Sequence, residues 1–185
     1  MTICIFPGTF NPIHIAHLKM AQFALEHFGF EKVIFIPSHI PPHKTVDKNL
    51  AQHRYNMVKL AVSKNPRFEI SDIEYKSDGK SYTLYTVQKI KDLYNIDGRV
   101  NMLIGTDAFK NVRMWYRADE LIGLVHFIVF PRTGDDITME EYKDFSYELV
   151  NAEKIDVSST EIREKHIGRM SMEVEDYIKA NELYS

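Results

Sequence analysis

Several things are scarce in this sequence, and each shortage narrows what the chain can be. Cysteine occurs once, as Cys4 inside the apolar run Ile3-Cys4-Ile5-Phe6. An intrachain disulfide is therefore excluded. A lone thiol in such a run reads as a small buried hydrophobe, which fits a reducing, cytoplasmic setting. There is no basic excess: 23 Lys and Arg stand against 26 Asp and Glu, for a formal net charge of −3. Nucleic-acid-binding surfaces usually carry a positive surplus, so nucleic acid is not an expected partner. A locally basic pocket for a phosphorylated small molecule stays open. No apolar run approaches the roughly 20 residues needed to cross a bilayer. The charged and apolar pattern of a secretory signal is absent too, so no membrane partner is expected. Internal repeats, low-complexity tracts and long linkers are missing, and tryptophan occurs once, at Trp115.

What remains is a chain of 185 residues, 44% hydrophobic, long enough to bury a substantial core as one domain spanning 1–185. Short apolar, β-branched runs alternate with helical patterns. The runs predict strands at Ile3 to Phe6, Val33 to Ile36, Phe68 to Ile70, Asn101 to Ile104, Phe127 to Phe130 and Ile155 to Val157. Most are apolar on both faces, as parallel strands covered by helices are. Between the first two, Leu18, Ala21, Leu25 and Phe28 form a helical stripe with Gly29 as its stop. Further helices are predicted at Ala51 to Ser63, Leu84 to Tyr94, Arg117 to Leu121, Met139 to Leu149 and Met172 to Leu183. Strands alternating with helices imply right-handed crossovers and an α/β fold, a Rossmann-like doubly wound parallel sheet with helices on both faces.

In such a sheet, ligands bind beyond the C-terminal ends of the strands. Polar clusters converge there. Gly8-Thr9-Phe10 follows the first strand. Ser38, His39, His43 and Lys44 follow the second, within Pro37 to Asn49, the longest irregular stretch. Gly105-Thr106-Asp107, Pro131-Arg132 and Ser158-Ser159-Thr160 follow later strands. A loop of that length in a compact domain is usually functional or mobile.

His14-Ile15-Ala16-His17 follows the first loop and opens a helix, where free backbone N–H groups and the positive dipole end attract phosphate. Two histidines three apart share one face of the first turn. They have three readings: surface or capping histidines, part of a metal site, or phosphate ligands. A closed zinc site needs further ligands, and the sole cysteine is spent in a strand. Ser158-Ser159-Thr160-Glu161-Ile162-Arg163 reads as an ordinary capping box, serine followed three residues later by glutamate. The same hydroxyls and N–H groups can also bind phosphate, with Arg163 one turn along as a fixed positive charge. Trp115 on residue type alone is a packing residue. His27, His53, His126 and His166 belong to no motif and read as surface or packing histidines.

Together these elements resemble the nucleotidylyltransferase superfamily, with its glycine-containing first loop, (H/T)xGH pair and late SSTxxR element. Within it the chain is similar to the bacterial nicotinate-nucleotide adenylyltransferases. Pro41-Pro42-His43-Lys44 resembles their PPHK loop, and Ser81-Tyr82-Thr83-Leu84-Tyr85-Thr86 their SYTxxT element. Gly105-Thr106-Asp107 resembles their G-x-D segment, and Trp115-Tyr116 their substrate-side tryptophan. The matches extend to Asn181-Glu182-Leu183-Tyr184, nearly the whole chain. Pro7, Asn11, Ala16 and Tyr85 depart from the family pattern. Ala16 stands where the family has glycine between the histidines, which makes it the first place to look for a shifted loop.

The resemblance implies an ATP-dependent transfer of the adenylyl group to nicotinate mononucleotide, with Mg²⁺ carried by ATP. It places His14, His17, Lys44 and Arg163 in catalysis. ATP is expected at Gly8, Thr9, Phe10, His14, His17, Asp107, Ser159, Thr160 and Arg163. The mononucleotide is expected at His43, Lys44, Tyr82, Thr83, Trp115 and Arg132, with the indole stacking on the pyridine ring. Homo-oligomerisation is left open. Three alternatives stand beside this reading: pantetheine-phosphate adenylyltransferase, which the Pro7-Gly8 pair also resembles; a nucleotide-binding sensor module; and a histidine-dependent metal hydrolase.

Overall fold

Residues with no polar side to show become strands covered on both faces. The structure, a computed structural model, describes residues 2–131, 137–151 and 169–185. Its sheet contains β1 (Ile3–Gly8), β2 (Lys32–Pro37), β3 (Phe68–Ile70), β4 (Val100–Gly105), β5 (Val125–Phe130) and β6 (Ser146–Leu149). The strand order is β3-β2-β1-β4-β5-β6, and every neighbouring pair is parallel. The order reverses direction between β1 and β4, so the crevice for a ligand opens at their C-terminal ends. Around the sheet lie α1 (Ile15–Phe28), α2 (Ala51–Val62), α3 (Thr83–Tyr94), the single turn α4 (Thr106–Phe109), α5 (Ala118–Leu124) and α6 (Met172–Ala180).

Strand alternation divides the core in two. Ile3 and Ile5 of β1 face Leu84, Val87 and Ile90 of α3 and Leu121 of α5. Cys4 and Phe6 face the opposite side, with Ala21 and Leu25 of α1, Met57 and Val58 of α2 and Val174 of α6. Each fully buried Ile, Leu, Val or Met among them contributes roughly 1.5–3 kcal/mol of transfer free energy. Burial also pushes the Cys4 thiol well above its usual range, so it stays protonated and inert. The expected stripe is the buried side of α1, with Ala21 and Leu25 fully covered. Gly29 closes the helix in the left-handed conformation (φ 69°, ψ 27°) that costs glycine nothing. Among the described residues no helix is long and apolar enough to cross a membrane.

One expected element is different. The stretch Met139 to Leu149 is not a helix but a 3₁₀ turn (Met139–Tyr142) followed by β6. Its aromatic residues decide this. Tyr142, Phe145 and Tyr147 gather around Phe109, at ring distances of 4.7, 5.3 and 5.3 Å. That places the following residues beside the open edge of β5, where His126 to Val129 pair with Ser146 to Leu149. Tertiary packing overrides the local helical pattern. The strand expected at Ile155 to Val157 lies outside the described residues, and α4 had no signal long enough to be read.

Candidate active site

The loop between β1 and α1 is built around a ring packed on a glycine. Phe10 is buried and adopts a left-handed backbone (φ 48°) that turns its side chain back over Gly8. A Cβ on Gly8 would lie 2.9 Å from the Phe10 ring, so close approach is what requires glycine there. The Phe10 and Phe6 rings then hold His17 edge-on, with centroids at 5.1 and 5.9 Å.

His14 is the N-cap of α1, and its ring stacks on that of His17 at 3.7 Å and 20°. The backbone N–H of His14 donates to Nδ1 of His17 (3.1 Å). In the neutral ring this bond puts the proton on Nε2. The first turn of α1 carries no acidic residue, which leaves the positive dipole end uncompensated by the helix's own side chains. Ala16 lies buried in the first turn of α1, between the two histidines, in regular helix. Pro7 is likewise accommodated as a regular residue of β1, in register with Ile36.

At the switch point a cavity of about 450 Å³ opens between the ends of β1 and β4. Gly8 and Thr9 form its floor with Met102, Leu103 and Ile104. Pro41, Pro42, His43 and Lys44 form one wall, Ser81, Tyr82 and Thr83 another, and Trp115 and Tyr116 a third. Trp115 packs partly against the core, while its exposed side runs nearly parallel to the His43 ring (6.5 Å, 20°). The packing reading of the lone tryptophan therefore holds, and the same ring also borders the cavity. Tyr82 stacks on Tyr116 at 4.4 Å, and the Tyr116 hydroxyl lies 3.1 Å from that of Tyr85. Tyr85, which stands where the family has an acidic residue, thus buttresses the cavity rim.

The structure brings seven of the expected site residues onto this cavity: Gly8, Thr9, His43, Lys44, Tyr82, Thr83 and Trp115. His14, His17 and Asp107 do not line it; the histidines stand at the start of α1 and Asp107 in the turn after β4. Phe10 contributes through packing on Gly8. Arg132, Ser159, Thr160 and Arg163 lie outside the described residues. Among the described residues, no group of three or more His, Cys, Asp or Glu is placed to hold a metal ion. His53 and His126 have structural partners, the Tyr177 hydroxyl at 2.8 Å and the Ser146 hydroxyl at 2.7 Å.

Two buried polar residues beneath the cavity carried no motif. Arg54 is fully buried on α2 and donates to the carbonyls of Thr9 (2.9 Å), Ser38 (2.6 Å) and His39 (3.0 Å). It therefore ties the first loop to the second. The available signal was a charge on an apolar stripe, since Met57 and Val58 follow at helical spacing. Glu74 is buried in the cavity wall and accepts from the Thr86 hydroxyl (2.8 Å). Burial pushes its carboxyl up to about 7, against the opposing pull of the Thr86 and Ser81 hydroxyls and the Arg54 guanidinium.

Comparison with known proteins agrees with this geometry. Residues 5–165 match the cytidylyltransferase-like family. A probable nicotinate-nucleotide adenylyltransferase of Caldicellulosiruptor bescii is 39% identical, covering 100% of this chain and 99% of the relative. Its counterpart in Clostridium tetani is 40% identical over 87% of this chain and 84% of the relative. Among solved structures, Plasmodium falciparum nicotinic acid mononucleotide adenylyltransferase complexed with NaAD superimposes with a TM-score of 0.83. That match covers 98% of this chain and 96% of the other at 21% identity, a likeness of fold. The chain belongs to the cytidylyltransferase-like family and, within it, to the nicotinate-nucleotide adenylyltransferases.

Proposed function

We propose that the chain transfers the adenylyl group of ATP to nicotinate mononucleotide, giving nicotinate adenine dinucleotide and pyrophosphate. A phosphate oxygen of the mononucleotide attacks the α-phosphorus of ATP in line. The new P–O bond forms as the bond to the β-phosphate breaks, and its electron pair leaves with pyrophosphate. The nucleophile is already an anion, so no general base is required. The barrier lies in bringing anions together and in the charge gathering on the leaving group, which positioning and fixed donors lower.

In this scheme His14, His17 and the N-terminus of α1 hold the ATP phosphates. The neutral His17 ring donates from Nε2, which requires no proton to be taken up. Gly8 and Thr9 offer backbone groups at the junction of the two substrates. Lys44 and His43 close over the phosphates from the second loop. Trp115 stacks on the pyridine ring, and Tyr82 and Thr83 bound its far side. Arg163, Ser159 and Thr160 are assigned to the β- and γ-phosphates, Asp107 to the ribose or the hydrated metal, and Arg132 to the acceptor. Mg²⁺ enters with ATP as part of the substrate and neutralises phosphate charge.

The observation that carries the acceptor assignment is the cavity. One space collects the PPHK loop, the SYT element and the sole tryptophan from three separate parts of the chain. Because Trp115 is the only indole, its fluorescence reports occupancy of that space. Titration with nicotinate mononucleotide is expected to quench it saturably, and phosphopantetheine is expected not to. Quenching by phosphopantetheine alone would overturn the assignment.

A further inference from the structure

The scheme above leaves Glu74 without a task. A buried carboxyl is costly unless something holds it. Glu74 is 6% exposed and sits among three polar partners from different parts of the chain. Thr86, in the first turns of α3, donates to its Oε1 (2.8 Å). Ser81 stands beside it at the start of the SYT element. The Ser81 oxygen already accepts the N–H groups of His39 and Ile40, both at 3.2 Å. Its single proton is therefore left to donate, and the Glu74 carboxyl, whose Oε2 has no hydrogen-bond partner among the described residues, is the neighbouring group on which the Ser81 hydroxyl acts. The Ser81 N–H closes the ring by donating to the Ile40 carbonyl (2.8 Å). On the far side, Arg54 places its positive charge near the carboxyl and grips the Ser38 and His39 carbonyls.

These bonds join two walls of the cavity that the covalent chain does not. His39 and Ile40 begin the loop that leads to His43 and Lys44. Ser81 begins the wall that continues through Tyr82 and Thr83. We infer that Glu74 is a positioning residue for the acceptor: through Ser81 and Thr86 it fixes the loop after β2 and the start of α3 at the separation a mononucleotide needs. The ATP side is tied differently. The loop carrying Thr9 is held by Arg54 and not by Glu74. Loss of the carboxyl therefore loosens one substrate's site, whereas loss of the guanidinium loosens both.

This inference rests on the assignment of the cavity to nicotinate mononucleotide, and the test separates the two. Steady-state kinetics with both substrates varied are measured for the wild type, Glu74→Ala, Glu74→Gln and Arg54→Lys. Glu74→Ala is expected to raise KM for the mononucleotide about tenfold or more, with KM for ATP within about twofold and kcat within about threefold. Glu74→Gln, which keeps the volume and one acceptor, is expected to recover most of that loss. Arg54→Lys is expected to raise both KM values, because it touches both loops. A folded Glu74→Ala with an unchanged KM for the mononucleotide, or with both KM values raised together, overturns the inference. Should Glu74→Ala not fold, Thr86→Val removes one donor without removing the charge. It is expected to raise the mononucleotide KM about threefold and leave that for ATP unchanged, and equal effects on both overturn the inference. A wild type that is inactive with nicotinate mononucleotide overturns the acceptor assignment itself and is thereby distinguished from a failure of Glu74.

Discussion

His17 makes two commitments at once: its Nδ1 accepts the N–H of His14, and its ring is wedged between Phe6, Phe10 and His14. A side chain fixed in that way needs no reorganisation when charge develops beside it, which is the condition under which a single donor has a large effect. His17→Ala is accordingly expected to lower kcat by about 10²-fold or more, with thermal stability close to that of the wild type. Near-normal turnover in the variant would remove the residue from catalysis. Gly8 is constrained by a ring and not by its own dihedral angles. Gly8→Ala must displace the Phe10 ring, which is packed against Phe6, Phe35 and His17. The expected cost is about 1–3 kcal/mol of stability, measured by urea denaturation, together with lower kcat as the His17 wall shifts.

At the scale of elements, the edge strand β6 exists because an aromatic cluster anchors the segment before it. Phe145 touches Phe109, Phe127 and Tyr142, and the Arg113 guanidinium lies 4.7 Å above its ring. Phe145→Ala is expected to cost about 3 kcal/mol or more, read from the urea midpoint, while Trp115 quenching by substrate stays unchanged. The same segment shows where the sequence stops being readable. β1, β2, β4 and β5 are apolar on both faces, so their runs announce a covered strand directly. β6 has a half-exposed pattern and borrows its conformation from β5, a neighbour remote in sequence. The site divides in a similar way. The residues proposed for the phosphates and the acceptor stand in motifs, because substrates demand particular groups at set spacings. Arg54 and Glu74 answer only to one another's loops, and that geometry arises after folding.

For the whole molecule, the sheet order matters more than any single motif. The reversal between β1 and β4 makes the crevice, and the loops after β1, β2 and β4 reach it because parallel strands end on the same side. The buried carboxyl beneath that crevice also has a consequence for global stability. Glu74 is raised from 4.5 to about 7 in the folded chain, so the folded state binds the proton more tightly than the unfolded one. Its favourable contribution is full below about pH 4.5 and is lost as pH rises through about 7. The difference amounts to about 3 kcal/mol if the carboxyl remains in place throughout. Relative to Glu74→Gln, the wild type is therefore expected to lose stability between about pH 5 and pH 8, as checked by denaturant midpoints across that range. A constant difference between the two proteins would contradict it.

The central claim, adenylyl transfer to a pyridine mononucleotide, is tested most directly by identifying the products made from MgATP and a panel of acceptors. Nicotinate mononucleotide, nicotinamide mononucleotide and phosphopantetheine are each supplied, with pyrophosphate and the adenylylated product quantified together. The account expects nicotinate adenine dinucleotide and pyrophosphate in equal amounts from nicotinate mononucleotide. Product from phosphopantetheine alone, or orthophosphate and ADP without any dinucleotide, would contradict it.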